Sequence, residues 1–486
     1  MKDSHLKEVE MDVDIKRLQE IVGPEHASDD EGELYIYGSD SSVHQAMPDA
    51  AVRPGKTEEV QEILRYANKN KIPVVARGSG SGMSGQAVPI DGGIVLDMKR
   101  MNRIIAIKLQ DVLCIVEPGV VDDDLNRALR PMGFFYPPTP ASSRVATIGG
   151  EIANNASGLR SVKYGATRDS VLGMKVVLAN GDLVTLGANT RVDASGYQLA
   201  RLMVGSEGTL GVIVEATLRL TPVPKFRSMG IAKFNKLGDA GKAITAVMSS
   251  GITPSVLELM DNVAITAVNT TMNMGLPDVE AILMFEADGR VKSAVETDMA
   301  DMKKIFEDNG AFGIEISDDP KEMTRIFSGR KKLFAALSRY QKGLACTSLA
   351  DDMAVPNSAM AGTVQEILDV AKRNNVVMTA YGHCGSGVVH TKILMDPTKE
   401  SQWDDARNAV REVYEYVHKV GGTTSGEHGI ALSKAPSWKE EKKDSLEMMR
   451  AVKKALDPNN ILNPHKLMDA PDDWVEATGL RYTAKV

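Results

Sequence analysis

Four glycine-rich segments lie between residues 77 and 211: RGSGSGMSG (77–85), TIGGEIANNASG (147–158), KYGATRDSVLG (163–173) and VGSEGTLG (204–211). Glycine tolerates positive φ and lets backbone approach a ligand closely. Each segment alone reads as a turn. Together they require a fold in which several loops wrap backbone around one large ligand.

The first segment also matches a dinucleotide fingerprint. Gly80, Gly82 and Gly85 spell G-x-G-x-x-G, and Asp97 stands about where a ribose-binding acid would. That fingerprint needs a preceding strand and a helix that starts inside it, so that the helix N-terminus meets the pyrophosphate. A strand is predicted over KIPVVARG (71–78). A helix is not. Only eleven residues separate Gly85 from Asp97, and they include Pro89, Gly92 and Gly93. A crossover helix takes roughly 10–12 residues plus its turns, so NAD is excluded on geometry. What remains is a loop rich in free backbone N–H groups, which can form an anion-binding nest without a helix. Taken alone, this stretch reads equally well as a flexible surface loop.

The length of 486 residues leaves room for two or three domains. A net charge of -8 and a pI near 5.7 argue against a nucleic-acid partner. No basic block suggests a membrane patch, and no apolar run approaches the roughly 18 residues of a spanning helix. The acidic, polar start MKDSHLKEVEMDVDIKRL resembles neither a signal nor a transit peptide. The three cysteines, Cys114, Cys346 and Cys384, lie far apart. They make no disulfide framework, which fits a cytoplasmic protein, and they cannot supply a four-cysteine iron–sulfur cluster.

Along the chain, VDIKRLQEIVG reads as an amphipathic helix closed by Gly23, and ASDDEGELYIYGSDSS as an acidic loop. Thr57 is the predicted N-cap of a helix with Val60, Ile63, Leu64 and Ala67 at helical spacing. Strands follow in IPVVAR, GGIVLDM, RIIAIK and VLCIVEPG, then a helix in VDDDLNRALRPMG. Asn180-Gly181-Asp182 marks a hairpin. Near residue 222 the pattern changes to strands alternating with amphipathic helices, which predicts an α+β domain with a meandering sheet. The boundaries drawn are an N-terminal helix and acidic loop (1–45), a first domain (46–222), a second domain (223–467) and a tail (468–486). The stretch TTMNMG is expected to pack rather than bind.

The ordered set VVARGSGSGMSGQAV, VEPGVVDDDLNRAL, the long run from PPTPASS to NGDLV, and GYQLARLMVGSEGTLGVIVEATLRL resembles the FAD-binding domain of the vanillyl-alcohol-oxidase/PCMH superfamily. Within it, the chain is most similar to the branch of D-lactate dehydrogenases, glycolate oxidase catalytic subunits and D-2-hydroxyglutarate dehydrogenases, over residues 35–467. The resemblance implies an α+β fold. A PCMH-type FAD-binding domain of two α+β subdomains would be followed by an α+β cap domain with an antiparallel sheet. It further implies that Arg77, Gly78, Ser79, Gly80, Ser81, Gly82, Met83 and Ser84 cradle the FAD pyrophosphate. Pro138, Thr139, Gly149, Gly150, Asn154, Ala156 and Gly158 would follow the ribityl chain and flavin ring. Gly205, Glu207, Gly208 and Ile213 would hold the adenosine half. The first loop has no His, so the FAD is expected to be noncovalent.

Four of the eight His residues lie in YGHCGSGVVH and HKVGGTTSGEHG. His418 reads as a solvated helix residue. His383 and His390 flank a Gly-Ser-Gly turn, and Glu427 and His428 stand among glycines. Two His and a carboxylate can hold a divalent metal with open positions; polar loop residues are the plainer reading. GHCGSGVVH resembles the family's GHxGDGNLH, and SGEHGIALSK its SGEHGIGxxK. The resemblance implies that His383, His390 and Glu427 bind a divalent metal (Zn, Mn or Fe). It makes His428 the catalytic base and Arg330 the grip on a substrate carboxylate, and it sets Asn463 near the flavin. Three departures stand out. Ser386-Gly387-Val388 replaces Asp-Gly-Asn, with possible loss of support to the metal. Ala431 replaces Gly. His465 replaces Gly, placing a titratable group close to the expected site.

The implied chemistry is oxidation of a D-2-hydroxy acid, D-lactate or glycolate first, to the 2-oxo acid. Electrons would leave to a separate iron–sulfur subunit, electron-transferring flavoprotein or quinone. A same-fold enzyme acting on a carboxylate-free alcohol and a non-catalytic flavin subunit are the alternatives. Homodimer and hetero-complex both remain open.

Overall fold

A computed structural model describes residues 13–473 and 479–480. The readings that rest on residues 1–12 and on most of the expected tail lie outside the described residues.

The strands Val74–Arg77 and Ile94–Asp97 pair in parallel, and residues 78–93 join them through turns, with no helix between. Asp97 is buried, and its Oδ2 accepts a hydrogen bond from Tyr37 at 2.9 Å. The Rossmann match is therefore coincidental. Ala50–Val52 and Ala27–Ser28 complete a four-stranded sheet. The helix Thr57–Asn70 packs Val60, Ile63, Leu64 and Ala67 into that sheet's core. Its cap position is Lys56 rather than the expected Thr57, and no side chain caps it. The acidic segment read as a loop contains a helix, Glu31–Tyr37. Asp30 caps it by accepting the Glu33 N–H, and Leu34 and Tyr37, three residues apart, are buried together.

The second subdomain is a five-stranded antiparallel sheet. Strands Val171–Val177 and Leu183–Gly187 form the hairpin expected at Asn180-Gly181-Asp182, where Gly181 has a φ of +83°. Val212–Arg219 is the sheet's central strand.

The later half contains a larger antiparallel sheet, but not a meander. Its order runs Phe312–Ser317, Phe226–Phe234, Ala281–Gly289, Val256–Asp261, Val377–Gly382, Val388–Met395, Ala345–Thr347. The first four strands follow a β-α-β-β-α-β split, because the helices Leu237–Ser249 and Lys292–Asp308 carry the chain over one face between non-neighbouring strands. Helices Met360–Arg373 and Glu400–Lys419 join that layer. Helices Asn262–Met272, Pro320–Lys331 and Leu333–Leu337 cover the other face, and Met272 and Met274 pack there. With both faces covered, Val256–Asp261 is buried at every position. After residue 450 the chain returns to the first half: Leu462 bridges Val74, and Val452 and Leu456 pack on the five-stranded sheet's core.

A charged cluster joins the halves. Arg160 donates to Glu286 at 2.7 Å and to Asp288 at 3.2 Å, Lys163 reaches Asp288 at 2.6 Å, and Arg227 reaches Glu286 at 2.5 Å. Both carboxylates are fully buried. Burial alone would raise the Glu286 pKa, but the two arginines outweigh it and hold it low. Glu286→Ala would leave two cations without their shared partner. A loss of about 3 kcal/mol in urea unfolding is expected, as for one-sided removal of a buried pair. A loss below 1 kcal/mol would contradict this role.

Candidate active site

One cavity of about 460 Å³ runs between the glycine-rich loops of the first half and the His-bearing strands of the second. Arg77, Gly78, Ser79, Gly80, Ser81, Gly82 and Met83 line it, as do Gly149, Gly150, Asn154, Ala156, Glu207, Gly208 and Ile213. At its other end stand Arg330, His383, His390, Glu427 and His428. Gly208 shows why glycine is needed. Its φ is +73°, and a Cβ there would meet no atom within 4 Å, so a side chain would occupy the space a ligand needs. The backbone-walled cavity fits a large, flat, anionic cofactor.

Six of the expected residues are not on the cavity wall. Ser84 lies just behind it, accepting the N–H groups of Leu432 and Ser433. Pro138 and Thr139 give way to Pro140, Ala141 and Ser142. Gly158 packs on the Thr139 carbonyl, where a Cβ would collide. Gly205 donates its N–H to the Ile152 carbonyl at 2.9 Å. Asn463 is buried with its Nδ2 donating to the carbonyls of Gln86 at 3.0 Å and Glu207 at 2.8 Å. It braces two cavity loops. His465 does not approach the site: its Nδ1 pairs with Asp91 at 2.7 Å on the exposed side. His418 turns to Thr424.

The polar end is built around one oxygen. Glu427 Oε1 lies 3.2 Å from His383 Nε2 and 3.2 Å from His390 Nε2. The His residues come from the end of Val377–Gly382 and from Val388–Met395, antiparallel neighbours joined by the 384–387 turn. Behind His383, Nδ1 meets Glu258 Oε1 at 2.6 Å, and Glu258 Oε2 accepts from Arg330 Nε at 2.8 Å. Behind His390, Nδ1 faces Asp351 Oδ1 at 3.4 Å. His428 Nδ1 lies 2.9 Å from Asp351 Oδ2, a close contact that is not aligned as a hydrogen bond. Lys392 also pairs with Asp351. Burial disfavours protonated His383, but Glu258 and Glu427 outweigh it and push its pKa up to about 9. Burial would likewise raise the Glu427 carboxyl, yet His383 and His390 hold it well below the usual range. This donor set calls for positive charge between its Nε2 and Oε1 atoms.

Asp352, His390, Glu427 and His428 also place ligand atoms within 4.8 Å of one another. Asp352, however, is already engaged. It accepts the N–H groups of Glu427 and His428, the Ser425 hydroxyl and the Lys434 ammonium at distances between 2.6 and 3.1 Å. In the expected set of His383, His390 and Glu427, Glu258 holds His383 Nδ1 and Ser157 holds Glu427 Oε2, while Asp351 only faces His390 Nδ1 at 3.4 Å. Ser386, the departure from the family pattern, is exposed and donates to the His383 carbonyl; the bracing comes from elsewhere.

The Glu427 loop is gripped by the first half. Ser157 donates its N–H at 3.1 Å and its hydroxyl at 2.6 Å to Glu427 Oε2. Glu207 accepts the N–H groups of Ile430 at 2.7 Å and Ala431 at 2.9 Å, and burial pushes its pKa up to about 7. Gln86 donates to the His428 carbonyl at 2.5 Å. Ala431, standing where the family has Gly, keeps a φ of +37° under these bonds.

Glu258, Asp351, Ser157, Gln86 and Lys392 were not singled out from the sequence. Glu258 carried a signal: it is a charge set between Leu257 and Leu259 in a strand. Glu151 was also missed. It lines the cavity beside buried Asp122; burial, then the Asp122 charge, pushes the Glu151 carboxyl well up, and burial pushes Asp122 up to about 8.

The family "FAD linked oxidases, C-terminal domain" matches residues 223–467, and "FAD binding domain" matches residues 48–187. The chain belongs to the FAD-linked oxidase family of the PCMH/VAO type. More narrowly, it is an FAD-linked oxidoreductase of the glycolate oxidase GlcD and D-lactate dehydrogenase group. It is 36% identical to the Bacillus subtilis "Glycolate oxidase subunit GlcD" over 93% of this chain and 96% of that one. It is 34% identical to the Arabidopsis thaliana "D-lactate dehydrogenase [cytochrome], mitochondrial" over 93% of this chain and 80% of that one. Substrate-bound p-cresol methylhydroxylase shares the fold, with a TM-score of 0.77 at 19% identity over 94% of this chain and 96% of that one. No helix among the described residues is long and apolar enough to cross a membrane.

Two outcomes are expected. Glu258→Ala frees both His383 and Arg330, so divalent-metal affinity measured by calorimetry should fall about 10–100-fold; an unchanged affinity would count against the set. Glu151 and Asp122 hold protons in the folded chain that the unfolded chain releases, so their stability cost grows as pH rises above the ordinary carboxylate range. Glu151→Gln should stabilise the protein at pH 8 and not at pH 4; equal effects at both would refute the assignment.

Proposed function

We propose that the chain oxidises a D-2-hydroxy acid, with D-lactate and glycolate the first candidates, to its 2-oxo acid. The observation that carries this is the convergence of two His Nε2 atoms on one Glu427 oxygen, inside the cavity that the glycine loops enclose. The glycine-rich loops would hold noncovalent FAD, which would supply the hydride acceptor, and His383, His390 and Glu427 would hold a divalent cation (Zn, Mn or Fe), which would supply polarisation of the C2 hydroxyl.

The residues supply the rest. Arg330, fixed through Nε by Glu258 and set over the Tyr381 ring at 4.8 Å, offers its remaining N–H groups to the substrate carboxylate. His428 takes the hydroxyl proton at Nε2, while Asp351 beside Nδ1 stabilises the imidazolium that forms. Asn463, Gln86 and Glu207 hold the loop that presents His428 to the cavity. Four buried carboxylates (Glu258, Asp351, Asp352, Glu427) face three buried cations (Arg330, Lys392, Lys434).

The names of the relatives, a "subunit" and a "[cytochrome]" dehydrogenase, support transfer of electrons to a separate carrier. An iron–sulfur subunit, an electron-transferring flavoprotein and a quinone are the candidates, in a cytoplasmic hetero-complex or homodimer.

The test is anaerobic bleaching of the flavin band by D-lactate, L-lactate, glycolate and D-2-hydroxyglutarate, with and without chelator. Chelator-sensitive bleaching by a D-acid is expected. Bleaching by a carboxylate-free alcohol that ignores chelator would refute the reading. His428→Asn should lower kcat by about 10²–10⁴-fold, as for loss of a general base.

A further inference from the structure

A second chamber of about 360 Å³ adjoins the main cavity. Ser41 and Phe334 line both spaces. The partition continues through Lys392, which lines the main cavity. Its Nζ reaches the Phe334 ring at 5.5 Å and donates at 2.8 Å to Ser348 Oγ on the chamber side. Lys392 lies two residues beyond His390 on the same strand, so both side chains point to one face. Arg330 lies four residues before Phe334. A substrate held between Arg330 and His390 therefore has this partition beside it.

The chamber's chemistry is specific. Among the described residues no Asp, Glu, Lys, Arg or His lines it, and several hydroxyls do. Thr347 Oγ1 donates to the Ile393 carbonyl at 3.0 Å, and Ser338 Oγ to the Phe334 carbonyl at 2.9 Å, so both keep lone pairs to accept with. Ser348 Oγ accepts from Lys392 and keeps its proton to donate. Lys392 is committed to Asp351, so it is not free to neutralise a second anion. Paired donors and acceptors without charge suit groups that both donate and accept, which is what alcohol hydroxyls do.

We propose that this chamber receives the tail of the substrate beyond C2, and that the tail is neutral and hydroxylated: the substrate class is a sugar-derived monocarboxylic 2-hydroxy acid. This rests on the 2-hydroxy-acid reading above and adds chain length and tail chemistry to it. Phe334, with an exposure of 42%, is the side chain that must swing for the tail to pass.

The test compares acids of one length on the FAD-loaded full chain: the 2R pentonates D-ribonate and D-xylonate, D-2-hydroxyvalerate and D-2-hydroxyglutarate, with D-lactate as the short reference. The better pentonate is expected to exceed both other five-carbon acids in kcat/KM by at least about tenfold, because hydroxyl-binding sites discriminate strongly against analogues that lack the group. Ala345→Phe, which fills the chamber, should bring the pentonate down to the level of D-lactate while D-lactate stays within about twofold. Leu344→Trp serves the same purpose if the first variant does not fold. Perturbation of the oxidised flavin spectrum gives the dissociation constants and should follow the same order.

Equal or better turnover of the alkyl acid or of the dicarboxylate overturns the proposal. So does a pentonate preference that survives both fillings. If D-lactate bleaches the flavin in a chelator-sensitive way but the pentonates have no advantage, only the chamber assignment falls. If no hydroxy acid of any length bleaches it, the parent reading falls and takes this one with it.

Discussion

Glu427 is bound at its two oxygens by different halves of the chain. Oε2 is fixed by the Ser157 N–H and hydroxyl, in a loop of the FAD-binding half, and Oε1 faces two imidazoles carried by the large sheet. A buried carboxylate is costly unless every lone pair has a partner. Its placement therefore demands that both halves be folded and docked. The glycine-rich loops and the polar end of the site share one rigid anchor, so the distance between them is set by the interface between the halves.

The same logic runs outward from that carboxylate. Glu258 spans His383 and Arg330, Asp351 spans His390, His428 and Lys392, and Glu207 clamps the loop that follows His428. Each of these carboxylates serves two or more partners. Their side chains are buried beside cations, so replacing one removes several constraints at once. The Arg160–Glu286–Asp288 cluster repeats the arrangement farther along the interface and holds the docking itself.

Much of this was legible in the sequence, and for physical reasons. A loop that must expose backbone to a ligand uses glycine, so three of the four segments mark the cavity wall; KYGATRDSVLG lines no part of it, because Gly165 closes the helix Ser161–Tyr164 and Gly173 lies within the strand Val171–Val177. Imidazoles joined by a short turn stay close in the fold, so His383 and His390 could be paired. Periodicity found the helix Thr57–Asn70, and the Asn-Gly-Asp turn signal found the hairpin at Gly181. The bracing residues were hidden because their partners are distant in sequence: Glu258 stands 125 residues from His383, and Ser157 stands 270 from Glu427. The sheet order was hidden because helical crossovers, rather than local turns, decide which strands become neighbours. The helix Glu31–Tyr37 was hidden because its acidic composition masked the Leu34–Tyr37 pair. His465 was misplaced because position in a motif says nothing of side-chain direction, which Asp91 decides.

The most direct measurement is anomalous X-ray diffraction from crystals of the protein soaked in zinc or manganese. The account expects one peak bounded by His383 Nε2, His390 Nε2 and Glu427 Oε1, with Glu258 and Asp351 outside the coordination sphere. A peak ligated by Asp352 instead of His383, or no peak at this site at saturating metal, would contradict it.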